Sequence, residues 1–150
     1  MSTPQRIARA YHDHGHHDPV AHLALSYEDR FLRRKVLTTT DGAQLLVDLP
    51  QTTSLDHGGV LLLEGGGEIA VIAAPEALIE VTGDDLTRLA WHIGNRHTPC
   101  QIEAGRLLIK PDHVMADMLA LLGAKTRDVT EPFTPEGGAY GHGRTHSHAH

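Results

Sequence analysis

The chain is short of several things, and each shortage removes a class of function. It holds one cysteine, Cys100, in 150 residues. No intramolecular disulfide can form, and no zinc cage built on two or four thiolates is available. Aromatic residues make up only 4%, so Leu, Ile, Val and Ala must supply the core. Positive charge is scarce as well: 13 Lys and Arg against 19 Asp and Glu leave a formal net charge of −6. That is the wrong sign for a nucleic-acid partner, which needs a basic face. Arg33-Arg34-Lys35 is the one basic run, and three charges in a row read as a solvated strand. No apolar run approaches the roughly 20 residues that cross a bilayer, and the N-terminus lacks the apolar stretch of a secretory leader. A cytoplasmic protein with no membrane partner is the expectation. Catalytic signatures are missing too. There is no His-Glu-x-x-His pair and no Gly-x-Ser-x-Gly elbow, and Gly65-Gly66-Gly67 is not followed by the Lys-Ser/Thr of a phosphate loop. An enzyme is not expected.

What the chain has in excess is histidine. Nine of its 13 histidines lie in two clusters near the two ends. The C-terminal one, Gly141-His142-Gly143-Arg144-Thr145-His146-Ser147-His148-Ala149-His150, alternates imidazoles with small or polar residues rather than running them together as a purification tag does. The N-terminal one, His12-Asp13-His14-Gly15-His16-His17-Asp18 with His22 beyond it, interleaves carboxylates. Neutral imidazole is the commonest protein ligand for borderline transition metals, and several on one segment can wrap an ion without a preformed pocket. The tail residues His142, His146, His148 and His150 are therefore candidate ligands for nickel, zinc or copper. His12, His14, His16, His17 and His22 are either a second buffering site or part of a solvated linker. Because imidazole binds metal only when neutral, affinity should fall as pH drops through about 6.5.

Between the clusters the pattern divides. Leu23, Leu25 and Tyr27 alternate with polar or small residues as in a half-buried strand. Val36-Leu37, then Thr40-Asp41-Gly42, then alternating Leu45, Val47 and Leu49 read as a hairpin closed by Pro50. Val60 to Leu63, the Glu64-Gly65-Gly66-Gly67 turn, and Ile69 with Val71 read as another. Residues 1–74 are thus expected to form an all-β domain behind a mobile, His-rich leading segment, 1–22. After Pro75 the signals change. Ala77 to Val81 is an apolar strand, and Gly83-Asp84-Asp85 supplies a helix cap. Leu86, Leu89, Ala90 and Ile93 then share one helical face, stopped by Gly94-Asn95, two residues that tolerate the left-handed conformation. A hairpin over 99–109 follows. Next comes a second helix capped by Asp112, with Val114, Met115, Met118, Leu119 and Leu122 inward and Gly123 as its stop. A strand over 125–133 closes the order β-α-β-β-α-β, the ferredoxin-like arrangement, across residues 75–138. Pro132, Pro135, Gly137 and Gly138 release the chain into a flexible tail, 139–150. The fold class expected is α+β.

Two further histidines stand at element boundaries in the second half: His97 after the first helix and His113 at the start of the second. A histidine there is ordinarily a capping or exposed residue, and that reading suffices for His57 and His92. His97 has more specific neighbours. Trp91-His92-Ile93-Gly94-Asn95-Arg96-His97-Thr98-Pro99-Cys100-Gln101-Ile102-Glu103 resembles the signature of UreE, the nickel-binding urease accessory proteins, whose core is Gly-Asn-Arg-His-x-Pro followed by Gln-Ile. Asp112-His113-Val114 through Asp117-Met118-Leu119 and Gly123 is similar to that family's second-helix motif. Pro132-Phe133-x-Pro135-Glu136-x-Gly138-Ala139-Tyr140 is similar to its closing segment. The first half, from Leu25 through Arg30 and Asp41-Gly42 to Glu64-Gly65, carries a weaker likeness.

The resemblance implies a urease accessory metallochaperone with a β domain and a ferredoxin-like metal-binding domain. It implies a homodimer, or a pair of such dimers, sharing one Ni(II) between the two copies of His97; Zn(II) or Cu(II) could substitute. It implies tail ligands at His142, His146, His148 and His150, and delivery through the urease accessory GTPase and the apo-urease accessory complex. Where some members carry a His-x-His pair, this chain has Pro111-Asp112-His113, so only His113 remains of that auxiliary site, with Asp112 beside it. The competing reading is a nickel or zinc buffering or storage protein in which the His-rich ends do most of the binding. Cys100, two positions into an expected strand, reads as a small packed residue rather than a soft-metal ligand.

Overall fold

The computed structural model describes residues 6–137, and the chain divides into two compact units, one ending at Ala74 and the other beginning at Pro75. The calls on the C-terminal tail, residues 139–150 with His142, His146, His148 and His150, lie outside the described residues.

The first unit contains six strands: β1 (Arg6–His12), β2 (Ala21–Leu25), β3 (Phe31–Thr38), β4 (Gln44–Ser54), β5 (Val60–Leu63) and β6 (Glu68–Ala73). They form one mixed sheet in the order β2-β6-β5-β1-β4-β3. Both expected hairpins are present, β3–β4 around Gly42 and β5–β6 around Gly65-Gly66-Gly67. All four of these glycines have positive φ, between 85° and 107°, which is what such tight reversals ask of the backbone. The sheet curls until the edge strand β2 meets the β3–β4 turn, where the Thr40 N–H donates to the His22 carbonyl at 2.8 Å. Alternate side chains converge on a core of Ala8, Leu23, Leu45, Val47, Leu61, Ile69 and Val71, none more than 1% exposed. Each of the Leu, Ile and Val side chains contributes about 1.5–3 kcal/mol by leaving water.

Two expectations fail in this unit. The leading segment is not mobile over its length: β1 lies between β4, with which it runs parallel, and β5, with which it runs antiparallel. It shows little hydrophobic alternation because Ala8 is its only fully buried residue. Nor does Pro50 end β4, which continues to Ser54. The β3–β4 register jumps from Arg34↔Asp48 to Leu32↔Thr53. Pro50 therefore falls in an irregular stretch, where a missing N–H interrupts no ladder.

The second unit runs β7 (Pro75–Thr82), α1 (Leu86–Asn95), β8 (Gln101–Ile102), β9 (Leu107–Ile109), α2 (His113–Leu121) and β10 (Lys125–Pro132). Its sheet order β10-β7-β9-β8, all antiparallel, is the ferredoxin-like arrangement. Leu89 and Ile93 of α1 and Met115 and Leu119 of α2 pack against Ile79, Val81, Leu107 and Ile109 of the sheet. Val114, expected inward, is instead 55% exposed. It precedes Met115 by one position, and the 100° step carries it off the buried face. Glu80, Glu103 and Glu131 converge on Arg106, which meets Glu131 through two guanidinium nitrogens at 2.6 and 2.7 Å. Arg127 adds a second cation to Glu80.

Candidate metal centre

Both helices of the second unit end in the same hydrogen-bond pattern. At the end of α1 the His97 N–H donates to the Gly94 carbonyl at 2.9 Å, and the Thr98 N–H donates to the Ile93 carbonyl at 3.4 Å. At the end of α2 the Gly123 N–H donates to Ala120 and the Ala124 N–H to Leu119, each at 3.0 Å. These paired bonds make a Schellman cap, whose reversing residue adopts the left-handed conformation. In α2 that residue is Gly123, with φ 86°; in α1 it is His97, with φ 58°, the one non-glycine of positive φ among the described residues.

The expected stop at Gly94-Asn95 is thus displaced, since both residues remain helical. The reason lies downstream. Pro99 biases Thr98 away from helical dihedrals, so the chain must reverse just before Thr98, and His97 occupies that place. A Cβ in the left-handed region costs about 1–2 kcal/mol relative to glycine. The cap also aims His97 outward, where it is exposed. His113 is likewise exposed, at the first residue of α2. Asp112 is committed to capping: its Oδ1 accepts from the Val114 and Met115 N–H groups at 3.0 and 3.1 Å. The ring of His92 stacks edge-on against Trp91, at 5.0 Å between centroids.

The N-terminal histidines are held by the first unit. His12 ends β1, and the turn over 13–20 leads to β2. Glu68, only 5% exposed, clamps this turn. Its carboxylate accepts from the His16 N–H at 3.1 Å and the His17 N–H at 3.2 Å, while its carbonyl accepts from the Val20 N–H at 2.9 Å. Burial pushes the Glu68 pKa up, yet the two backbone donors and the His17 and His16 rings outweigh it and hold the group below its ordinary value. Gly15 packs closely here, since a Cβ on it would lie 3.1 Å from Val60 Cγ1 and 3.3 Å from Glu68 Oε1. The His16 ring stands 4.8 Å from that of His14 and 5.9 Å from that of His12, centroid to centroid. His14 Nδ1 lies 2.7 Å from Asp13 Oδ1. His22 is exposed on β2. His57 is structural: its Nδ1 accepts the Ala73 N–H at 3.0 Å.

Among the described residues no group of three or more His, Cys, Asp or Glu side chains, as they stand, could hold a metal ion. His97, His113 and the His12–His17 turn are surface features, open to ligand exchange. Cys100 is buried, and burial followed by the nearby Glu136 pushes its thiol up to about 11, so it stays protonated and a poor metal ligand at neutral pH. Two participants were not singled out from sequence: Glu68, which sits in an otherwise ordinary strand, and Asp13, whose only signal was its place between His12 and His14.

Known proteins resemble this chain along its whole length. Residues 5–74 match the family described as UreE urease accessory protein, N-terminal domain, and residues 76–150 match its C-terminal domain. A urease accessory protein UreE from a Ruegeria species is 69% identical over 147 residues, covering 97% of this chain and 84% of that one. Another, from Ruegeria pomeroyi, is 68% identical over 128 residues, covering 85% and 86%. The Rhodobacter capsulatus protein of the same name is 53% identical over 150 residues, covering 100% and 96%.

Proposed function

The chain belongs to the UreE family of urease accessory proteins, carrying both of its domains in order, and from that premise we propose that it binds Ni(II) between two copies of itself and hands the ion on for urease assembly. The observation that carries this reading is His97 in a left-handed cap position that favours glycine. Strain of that kind persists where function requires the side chain. A single imidazole holds an ion weakly, but a two-fold axis doubles every ligand, so His97 and its mate present two from one sequence position. The second unit also exposes large apolar side chains suited to pairing: Trp91 at 63%, Ile102 at 52%, Val114 at 55% and Leu121 at 89%. Val114 and Leu121 are seven positions apart in α2 and share a face.

His142, His146, His148 and His150 would complete the coordination from the tails, with His113 as an auxiliary ligand. Asp112 is left to its cap. Imidazole also accepts Zn(II) and Cu(II), so ligand type alone does not select nickel. An exposed ligand set without a buried second shell favours release over storage, as an ion carrier working in the cytoplasm with the urease accessory GTPase and apo-urease complex requires. Its role is that of an accessory protein, not an enzyme.

Buffering is the second reading, favoured by 13 histidines in 150 residues. Nickel titration calorimetry on the full chain, a chain ending at Tyr140 and full-length His97→Ala separates the two. A carrier loses its tightest event with His97→Ala and only ion count on truncation. A buffer loses ions on truncation and keeps its tightest event in His97→Ala.

A further inference from the structure

The turn between β1 and β2 contains a constellation that the interfacial site does not use. We propose that His12, His14 and His16 form a second metal site, on the N-terminal domain, which takes one exchangeable borderline divalent ion per chain independently of His97 and of the tail.

Three observations meet there. The first is ring placement. An imidazole nitrogen binds such ions at about 2.0–2.1 Å, which puts two rings on one ion about 4.5–6.4 Å apart between centroids, depending on the angle at the ion. The His14–His16 and His12–His16 separations of 4.8 and 5.9 Å lie inside that range. The rings now meet edge to face, at interplanar angles of 68° and 89°, so the three side chains, all exposed, must rotate to turn their nitrogens toward one ion.

The second is the tautomer of His14. An ionised carboxylate only accepts, so the 2.7 Å contact with Asp13 makes His14 Nδ1 the donor. The ring's other nitrogen, Nε2, then carries the lone pair, as in carboxylate–histidine–metal arrangements. His57 shows the opposite assignment: its Nδ1 lone pair is spent on the Ala73 N–H, and it has no part in the site.

The third is preorganisation. Most surface histidines sit on backbone that must be ordered before several can share an ion. Here Glu68, 52 residues away, holds the N–H groups of His16 and His17, and the Gly15 backbone fits against Val60 where a side chain would crowd. His12 is fixed by its pairing with Val60. A shallow, open hollow of about 490 Å³ borders the turn at Gly15, His16, His17 and Asp18, so solvent reaches the turn on that side. Three imidazoles leave positions open to water and incoming ligands, and the exposure of the turn gives those ligands access.

The test uses the full-length chain, with Ni²⁺ and separately Zn²⁺ as probes. Binding stoichiometry is measured for the wild type, for the triple variant His12→Ala/His14→Ala/His16→Ala, and for Asp13→Asn. The triple variant should bind one ion fewer per chain while the His97-dependent event is unchanged. Asp13→Asn should keep the count and weaken that one event by about 10–100-fold, the usual cost of losing a second-shell partner. In parallel, Ni²⁺ added until the wild type is saturated should broaden its Gly15 amide resonance by the paramagnetism of the six-coordinate ion. Equal stoichiometry in the wild type and the triple variant overturns the proposal. So does a Gly15 resonance untouched by Ni²⁺, a readout that needs no variant to fold.

Discussion

The two helix ends of the second unit make the same turn with the same pair of hydrogen bonds, yet one uses Gly123 and the other His97. α2 ends as stability alone would have it, with a residue that has no Cβ to crowd the left-handed backbone. α1 accepts a cost at the equivalent place, and what it gains is an imidazole held out into solvent at a fixed point after a packed helix. Both helices are anchored alike, by Leu89 and Ile93 in one and Met115 and Leu119 in the other. The contrast is therefore local, and under the proposed function it separates a position kept for folding from one kept for binding.

The largest effect should fall on binding at the α1 end. His97→Ala should weaken the tightest nickel event by more than the 10–100-fold that an outer-shell partner is worth, read by calorimetry on the full chain. An unchanged affinity would make His97 a mere cap and erase the contrast. At the α2 end the response should be in folding. Gly123→Ala places a Cβ at φ 86° and should destabilise the chain by about 1–2 kcal/mol, read by urea unfolding, with nickel affinity unchanged.

The opposite ends of the helices sharpen the point. Asp112 accepts from two backbone N–H groups and Asp85 from one, so Asp112→Ala should cost about 1 kcal/mol and Asp85→Ala less, in the same unfolding assay. His97→Gly is the converse of the first variant. It should raise stability by about 0.5–1 kcal/mol as strain is relieved against the greater freedom of the unfolded chain, while nickel binding is lost. A protein stabilised and disabled by one substitution would show that His97 is retained for its imidazole.

The smallest effect concerns neither cap. Hydrogen bonds from Arg106, joined at Glu80 by Arg127, hold the Glu80 and Glu131 carboxyls below their ordinary value of 4.5. A carboxyl depressed in the folded state stabilises fully above its unfolded pKa, and that contribution disappears as pH falls through the folded one. Acid should therefore erode stability below about pH 4.5, and Arg106→Gln should flatten that slope, seen in denaturation midpoints against pH.

Much of this architecture could be read locally. Asp41-Gly42 and Gly65-Gly66-Gly67 announce their hairpins because positive φ is a property of those residues themselves. Asp85 and Asp112 announce helix starts because a side-chain oxygen two or three residues before a free N–H is a local geometry. His97 was legible as a candidate ligand from Gly94-Asn95-Arg96-His97, though its conformation was assigned to the wrong residues. The inhibition that Pro99 places on Thr98 acts backward along the chain and outweighs the preference of Gly94 and Asn95 for the left-handed region.

The sequence by itself determined the two-part organisation of strands followed by βαββαβ, the turns, the caps and the identity of the imidazoles, since each depends on residues within a few positions of one another. Tertiary structure alone decided that β1 lies inside the sheet, that β4 runs through Pro50, and that His12, His14 and His16 are gathered on a fixed turn. β1 is placed by β4 and β5, and the His16–His17 backbone by Glu68, 52 residues from His16. Pairings over such distances form only when the whole sheet closes its core, because the chain entropy they cost is repaid by burial that no short window of sequence contains.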